Sequence, residues 1–290
     1  MIQETAHEEG VNVGELVMHH TADAWTIDLQ PITTIHLPRF ADIHIGGMTL
    51  NLSPTKHVVF MILAALLVFL TMWVAGRQIA RSRREGKAPK GFGNAVEAMV
   101  LFVRNDIAIA NIGHDGAKFA PLIMALFFFV LYANLLGLFP WGSSATGNLA
   151  VTGALAILVF LTVEIGGFMK LGPKGYLRTI FPAVPGLGGV GGVAMSIGMA
   201  PIEILGKLVK PFALAVRLFG NMTAGHFVIL SLFGIIFMFG HLEGWRWGIG
   251  LATMALVTGI MLLEIIVAFL QAYVFALLSA VFIGLMQHEH

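Results

Sequence analysis

Six polar or ionisable side chains lie within two long, strongly apolar stretches in the last third of the sequence. They are Glu203, Arg217, Asn221, His226, Glu264 and Gln271. Arginine keeps its proton at any usable pH, so a partner inside the membrane must stabilise its charge. Even the lower insertion scales put the cost of one arginine at the centre of a membrane helix at about 2.5–3.5 kcal/mol. Residues of this kind inside a span generally mark an ion or substrate path.

The spacing of the first three of these side chains divides them between two faces of a helix. Arg217 and Asn221 are four residues apart, so they share one face. Nine helical steps place His226 on the side opposite Arg217. Histidine titrates near neutral pH and therefore suits a proton relay. The alternatives are structural, because Arg217 could lock two helices in an ion pair and His226 could hydrogen-bond to a neighbouring helix.

The acidic side chains extend this interpretation. Glu264 lies in an apolar run, and Gln271 follows seven residues later, close to the same face. A carboxyl group in hydrocarbon can carry protons, so Glu264 and His226 predict a shared proton path. A protonated Glu264 that donates to a backbone carbonyl is the alternative. Glu203 precedes Lys207 by four residues, and this pair predicts the point at which the helix leaves the membrane interface. The alternative is that Glu203 lines an aqueous path.

Composition places the chain among membrane proteins. Of its 290 residues, 57% are hydrophobic and 11% are charged, whereas soluble domains carry about 25% charged residues. Cysteine is absent, which excludes disulfides and thiolate metal sites. We expect no nucleic-acid partner, no metal and no cofactor, because the one basic cluster is a loop and the apolar segments lack metal-ligand spacing. The isolated pair His19 and His20 is the remaining metal candidate.

The apolar pattern predicts an all-α polytopic membrane protein. About 20 residues cross the hydrocarbon core at 1.5 Å per residue. We expect a polar, acidic, extracytoplasmic segment over residues 1–56 and a membrane domain over 57–290. The predicted elements are a span at 57–76, an amphipathic interfacial helix or tilted span at 92–111, spans at 118–139 and 149–171, and long helices at 195–240 and 249–287. The last two exceed a perpendicular span, so each is expected to be strongly tilted or broken.

Charge predicts the orientation of these elements. The loop after the first span is basic, with one acid, Glu85; its bases are Arg77, Arg81, Arg83, Arg84, Lys87 and Lys90. The positive-inside rule puts this loop in the cytoplasm, the N-terminus outside and the C-terminus inside. Neither a signal peptide nor an Arg-rich transit peptide is recognised, which favours a bacterial inner (plasma) membrane. Alternating residues over 36–52 predict a short hairpin outside the membrane.

Three segments together resemble subunit a of the F-type ATP synthase. RLFGNMTAGH at 217–226, preceded by KPFALAV, resembles the first signature of that family, and FLQAYVFALLSAVF at 269–282 resembles the second. NLLGLFP at 134–140 is similar to its central span. The resemblance covers the chain from about residue 57 to the end, and the order of its elements agrees with the predicted spans.

The resemblance implies a specific function. In this family, the last two helices lie at a steep tilt against a rotating ring of c subunits, and protons reach and leave a ring carboxylate by two half-channels. Arg217 matches the arginine that faces this carboxylate. Asn221 and Gln271 match its polar neighbours, and Glu203 matches an acid on the cytoplasmic path. The implied partners are the c ring, the peripheral-stalk b subunits, other ATP synthase subunits and lipid, and the chain itself would not be an enzyme.

The sequence departs from the commonest bacterial pattern at two places. Many bacterial members have Glu where His226 stands and His where Glu264 stands, so the two types are exchanged here. The exchange keeps one acid and one imidazole, which supports a shared role in the outer half-channel. Ala213 stands where many members have serine. A secondary transporter and a membrane-embedded enzyme are the competing classes, but no internal repeat and no clustered acid–base or nucleophile set favours either.

Overall fold

A short β structure precedes the membrane helices. The computed structural model of the chain describes residues 23–29, 33–40, 43–45, 48–51, 53–86, 91–139, 142–182, 189–239 and 246–288. Strands β1 (Thr26–Leu29) and β2 (Thr33–His36) pair antiparallel, as do β3 (Ile43–Ile45) and β4 (Met48–Leu50). The second pair confirms the hairpin predicted over 36–52. The first pair lies in a segment for which we predicted only a polar tail.

Seven α-helices follow within the described residues. They are α1 (Lys56–Arg84), α2 (Phe92–Phe102), α3 (Ala110–Ile112), α4 (Gly116–Gly137), α5 (Leu149–Ile180), α6 (Val190–Phe239) and α7 (Arg246–His288). Five of these, α1 and α4 to α7, are long and apolar enough to cross a membrane. This confirms the prediction of an all-α polytopic membrane protein with about five crossing helices.

The predicted interfacial helix at 92–111 is helical but irregular. A π-helix, Val103–Ile109, joins α2 to α3, and such widened turns inside helices frequently occur at functional sites. Gly113 then ends the segment with a φ of 82°, a left-handed conformation that glycine adopts without strain. The segment packs against α1, α4 and α7, and Val103 and Ile107 are completely buried in the common core.

Helix α5 is interrupted where the sequence predicted its end. Gly172 has φ 66° and ψ 174°, which breaks the helix after the predicted 149–171 span. The prediction ended this span at Leu171 and placed no helix in the residues that follow. Instead they form a second helical piece that continues to Ile180. Pro173 is compatible with this because proline fits the first position of a helix, where its missing N–H is not needed.

Helix α4 lies at the centre of the bundle. It packs most extensively on α7 and also contacts α1 and the π-helix. Its Asn134 is completely buried, donates to the Ala268 carbonyl of α7 at 3.3 Å and accepts from Thr146 at 2.6 Å. Interhelical amide bonds of this kind hold membrane helices together. The contact fixes α7, which carries Glu264 and Gln271, to the central helix.

The two ends of the bundle are recognisable from their polar contacts. At one end, Asp115 binds Lys170 of α5 at 3.1 Å. At the other, Asp23 accepts from His57 of α1 at 2.6 Å and lies 3.5 Å from the Asn148 amide. We name these the Asp115 end and the Asp23 end. The pair His19 and His20, most of the Gly/Pro-rich connection before α6 and the start of the loop before α7 lie outside the described residues.

Candidate ion-path site on the last two helices

Arg217 lies on a face of α6 that points out of the bundle. Its side chain is exposed, and so is that of Asn221 one turn later, as the four-residue spacing predicted. Neither side chain forms a hydrogen bond or an ion pair with any described residue. To one side of Arg217 on the same helix, Leu214 and Leu218 are buried in the core. The arginine is therefore placed by the packing of α6 to face whatever lies against the bundle.

The face around Arg217 is apolar and narrow. We name the residues Ala213, Arg217, Gly220, Asn221 and Ala224 the Arg217 face; they recur at helical spacing on one side of α6. A Cβ added at Gly220 would meet nothing within 4 Å. Small residues let a second helix approach closely in a membrane. Large side chains that are exposed elsewhere on α6 and α7 include Leu208, Phe212, Val216, Leu262, Ile266 and Phe269.

His226 lies towards the Asp23 end of α6 and faces the neighbouring helices. Its Nδ1 donates to the Met222 carbonyl at 2.8 Å, because a carbonyl oxygen can only accept. That bond leaves Nε2 as the acceptor of the neutral ring, and this atom is buried without a partner among the described residues. Lys56, His57 and the Gly137 carbonyl are near enough to act electrostatically on the ring.

Glu264 meets α6 one residue before His226. Its carboxylate lies against Gly225, so closely that a Cβ at position 225 would collide with Oε1. Both carboxylate oxygens are buried and have no hydrogen-bond partner in the described part of the chain, and the hydroxyl of Thr223 is in the same condition. The structure thus places His226 and Glu264 at one contact between α6 and α7, although they form no hydrogen bond with each other.

Gln271 occupies a different environment from Arg217. Its side chain is 6% exposed, and its neighbour Ala272 is completely buried in the core. The polar group therefore lies inside the bundle, whereas Arg217 and Asn221 lie on its surface. The structure brings His226 and Glu264 together, and it leaves Gln271 separate from the exposed arginine.

Glu203 lines a cavity between three helices. The walls come from α5, with Val159 and Glu164, from α6, with Glu203 and Lys207, and from α7, with Phe282. The remaining lining residues are Phe160, Val163, Lys210, Pro211, Leu285 and Met286. Met286 also packs against Gly167 of α5, which fixes the cavity to the part of α5 that continues to Lys170. The cavity is therefore at the Asp115 end.

Lys207 contacts a polar cluster that the sequence did not predict. Its Nζ lies 3.7 Å from Glu164 Oε2 and donates to Thr179 Oγ1 at 2.9 Å. The ammonium group also lies 4.7 Å from the centre of the Tyr176 ring, and the Tyr176 hydroxyl donates to Glu164 Oε2. Spacing along α6 favoured a Glu203–Lys207 pair, whereas Tyr176 and Thr179 come from the helical piece beyond the predicted span.

A second polar pair closes the Asp23 end. Asp23 Oδ1 accepts from His57 Nδ1 at 2.6 Å, and the backbone N–H of Lys56 donates to the Ala24 carbonyl at 2.9 Å. Burial would raise the pKa of the Asp23 carboxyl, but the hydrogen bonds it accepts, chiefly from His57, outweigh burial and lower its pKa. Asp23 and Ala24 are therefore attached to the start of the first membrane helix, at the end where His226 lies.

The three candidate sites on α6 follow one another along the helix axis. Glu203 lies at the cavity of the Asp115 end, and Arg217 is fourteen residues further on, about 21 Å at 1.5 Å per residue. His226 follows after nine more residues, about 14 Å nearer the Asp23 end. Two polar sites, each buried or part-buried, thus lie at opposite ends of the bundle, and one exposed arginine lies between them. This arrangement is that of a polytopic membrane protein whose ionisable residues suit ion transport.

Comparison with known proteins identifies the family. Residues 58–284 match the family described as ATP synthase A chain. The chain is 43% identical over 272 residues to ATP synthase subunit a 2 of Chlorobaculum tepidum, an alignment that covers 94% of this chain and 72% of that protein. It is 43% identical to ATP synthase subunit a of Chloroherpeton thalassium, with 94% and 77% covered, and 44% identical to that of Myxococcus xanthus, with 83% and 76% covered.

The chain belongs to the ATP synthase subunit a family. This confirms the resemblance drawn from RLFGNMTAGH and FLQAYVFALLSAVF, and the match extends from α1 into the last turns of α7. Membership supports roles in ATP synthesis and proton transport and implies other ATP synthase subunits as partners. The roles of the individual residues Arg217, Asn221, His226, Glu264, Gln271 and Glu203 stay predictions.

Proposed function

We propose that this chain is the proton-channel stator subunit of the ATP synthase Fo sector. It provides two half-channels that deliver protons to and from a carboxylate on the ring of c subunits, and so couples proton flow to rotation of the ring and to ATP synthesis. The chain performs no covalent chemistry, so it is not itself an enzyme. Membership of the ATP synthase subunit a family is the broader finding, and the proposal specifies the role of this chain within the complex.

The observation that carries the proposal is the position of Arg217. Its charge is exposed on the outside of the bundle in a helix long and apolar enough to cross a membrane, without an ion pair among the described residues. A permanent cation in that setting requires an anionic partner. The small residues of the Arg217 face allow such a partner helix to approach closely. A membrane helix that carries one carboxylate, as the c subunit does, has the required chemistry.

The two polar sites on either side of Arg217 supply the half-channels. At the Asp23 end, His226 and Glu264 offer an imidazole and a carboxyl group that exchange protons with an aqueous medium. At the Asp115 end, the cavity lined by Glu203 supplies the second path. Gln271 and Asn221 are the polar neighbours between them. Because the two sites are about 35 Å apart along α6, no single side chain connects them directly.

Arg217 then acts electrostatically. Opposite charge at close range favours the deprotonated form of a carboxyl group, so a ring carboxylate that reaches Arg217 gives up its proton. A fixed cation between the half-channels also repels a proton that would pass directly from one to the other. Each charge that crosses the membrane is worth about 2.3 kcal/mol per 100 mV, so several protons are coupled to the synthesis of one ATP.

The proposed orientation in the membrane and the proposed neighbouring subunits follow from charge and from the family. The basic ends of α1 and α5 lie in the cytoplasm, and the N-terminal segment lies outside a bacterial inner membrane. The last two helices cross at a strong tilt, since α6 would be about 75 Å long if straight and the hydrocarbon core is about 30 Å thick. The c ring contacts the Arg217 face, and the peripheral-stalk b subunits and lipid cover other faces.

Cysteine cross-linking tests the proposed ring-facing surface, because the natural chain has no cysteine. Ala213→Cys places a thiol on the Arg217 face, and Ala215→Cys places one on the buried side of the same turn as a matched control. Each variant is combined with a cysteine in the membrane helix of the c subunit. Under oxidation, the position 213 variant should form the a–c disulfide and stop ATP-driven proton pumping, and reduction should restore pumping. Cross-linking from position 215 but not from 213 would contradict the proposal.

A further inference from the structure

The Glu164–Lys207 cluster separates two acids that line one cavity. Glu164, Glu203 and Lys207 all line the cavity at the Asp115 end. The Lys207 side chain is 12% exposed and that of Glu164 is 15% exposed. A partly desolvated ammonium group needs an anion and hydrogen-bond acceptors, and Glu164 and Thr179 supply them.

Glu203 is within reach of the same lysine. The two residues are one turn apart on α6, and side chains four residues apart on a helix lie close enough to form an ion pair. In the structure, this pair is not formed between the two described side chains, because the Lys207 ammonium group binds Glu164 and Thr179 of α5 instead. The tertiary contact therefore competes with a local contact for the same cation.

The choice of partner decides the state of Glu203. An ammonium group beside a carboxyl group favours its charged form and so opposes proton uptake. With Lys207 bound to α5, no ion pair joins Glu203 to a described cation. With Lys207 released, the cation would move to Glu203 and hold it as a carboxylate.

We propose that Glu164 is a positioning residue for proton exchange, because it holds the Lys207 ammonium group on α5 and away from Glu203. Tyr176 assists by donating to the Glu164 carboxylate, and Thr179 assists by accepting from Lys207. The inference rests on the proposed function, in which Glu203 lies on the proton path.

The other charged groups of the cavity do not replace this arrangement. From α5, Glu164 and Tyr176 are the titratable groups at Lys207. From α6, the remaining cation is Lys210, whose ammonium group lies 5.8 Å from the centre of the Phe282 ring. Among the side chains that the structure describes, helix α7 contributes the apolar Phe282, Leu285 and Met286 to the lining.

The experiment is ATP-driven proton pumping in inverted membrane vesicles that contain the assembled ATP synthase, with the external pH varied. In this orientation, protons enter through the half-channel that contains Glu203. Glu164→Gln should shift the acidic and alkaline limits of the pH–rate profile to lower pH by about one unit, and slow pumping about threefold or more at pH 8. Glu164→Asp keeps the anion and should restore most of the parent profile.

The double variant distinguishes positioning from packing. Glu164→Gln with Lys207→Gln removes the released cation, so its profile should return towards that of the parent protein. The proposal would be overturned if the pH–rate profile of the double variant were shifted to lower pH as far as that of Glu164→Gln. It would also be overturned if the Glu164→Gln profile superimposed on that of the parent protein. If Glu164→Gln fails to assemble, Thr179→Val tests the same idea, and an unshifted profile in that variant would also overturn it.

Two further variants separate this inference from the proposed function. Asp115→Asn breaks an ion pair at the same end of the bundle but outside the cavity, so its profile should match the parent. Arg217→Ala should abolish coupled pumping whatever the state of Glu164. An unshifted Glu164→Gln profile together with an inactive Arg217→Ala variant would remove the inference and leave the proposed function intact, whereas pumping by Arg217→Ala would remove the proposed function.

Discussion

The carboxylate of Glu264 lies directly against Gly225, so that α7 meets α6 one residue before His226. The contact exists because glycine has no side chain at the point where the acid enters. It places the imidazole and the carboxyl group of the two helices in one region at the Asp23 end. Variants of Gly225, His226 and Glu264 therefore test this contact between the two helices.

Replacing Gly225 should disturb the proton path without changing any ionisable residue. In Gly225→Ala, the added Cβ would collide with Glu264 Oε1, and we expect ATP-driven proton pumping to fall about tenfold, since small displacements of a site residue have effects of that order. Gly153→Ala is the matched control, because a Cβ there meets nothing within 4 Å. The proposed role of this contact would be wrong if the two variants pumped equally well.

Exchanging the two ionisable residues should be tolerated better than changing either alone. His226→Glu leaves two acids at the contact and Glu264→His leaves two imidazoles, whereas the double exchange keeps one of each. We therefore expect the double variant to retain more pumping than either single variant, by a factor of about three or more for coupled neighbours. A double variant no better than the worse single one would mean that His226 and Glu264 do not share a path.

The number and approximate positions of the membrane helices could be predicted from the sequence, but α1 (Lys56–Arg84) and α5 (Leu149–Ile180) are longer than the predicted spans at 57–76 and 149–171. An apolar run must be long enough to cross the hydrocarbon core, so composition and length alone locate α1 and α4 to α7. The helical piece after Gly172 could not be predicted, because a Gly–Pro pair is a turn signal as well as a compatible helix start. The hairpin β1–β2 was missed because its strands are only four residues long and the second, Thr33–His36, does not alternate.

The candidate site was predictable in its residue types but not in its contacts. The cost of burying a charge is enough to single out Arg217, and the spacing of four placed Asn221 on the same face, as found. The contact of Gly225 with Glu264 depends on the register between two helices, which no local pattern specifies. Lys207 shows the same limit of local rules, because its tertiary neighbours on α5 compete successfully with Glu203 on its own helix.

Removing the buried amide of α4 should destabilise the bundle. Asn134→Ala leaves the Thr146 hydroxyl and the Ala268 carbonyl without their partner, and a buried polar group left unpaired costs about 1–3 kcal/mol. We expect the free energy of unfolding in detergent to fall by about that amount. Thr162→Ala is the control, because this exposed hydroxyl only donates to Leu158 within its own helix. Equal stability of Asn134→Ala and the parent would contradict the assigned bond.

The Asp115 contacts should persist in acid. Hydrogen bonds from Lys118 and Lys170 hold the pKa of Asp115 at about 2, below its usual 3.8. Stabilisation from a lowered carboxyl pKa is present above pH 3.8 and is lost as the pH falls through about 2. The difference in Tm between the parent and Asp115→Asn should therefore be small and constant from pH 7 to pH 5, and it should disappear near pH 2. A difference that vanishes already between pH 7 and pH 5 would contradict this assignment.

The most direct test of the central claim is ATP-driven proton pumping by vesicles that carry Arg217→Ala. The assembled complex is first quantified by its subunits, and Arg104→Ala serves as a control, since Arg104 is also exposed but bonds Asn105 on the π-helix. Our account predicts that Arg217→Ala assembles but pumps no protons above background, while Arg104→Ala pumps like the parent. Coupled pumping by Arg217→Ala at a rate near that of the parent would contradict the account.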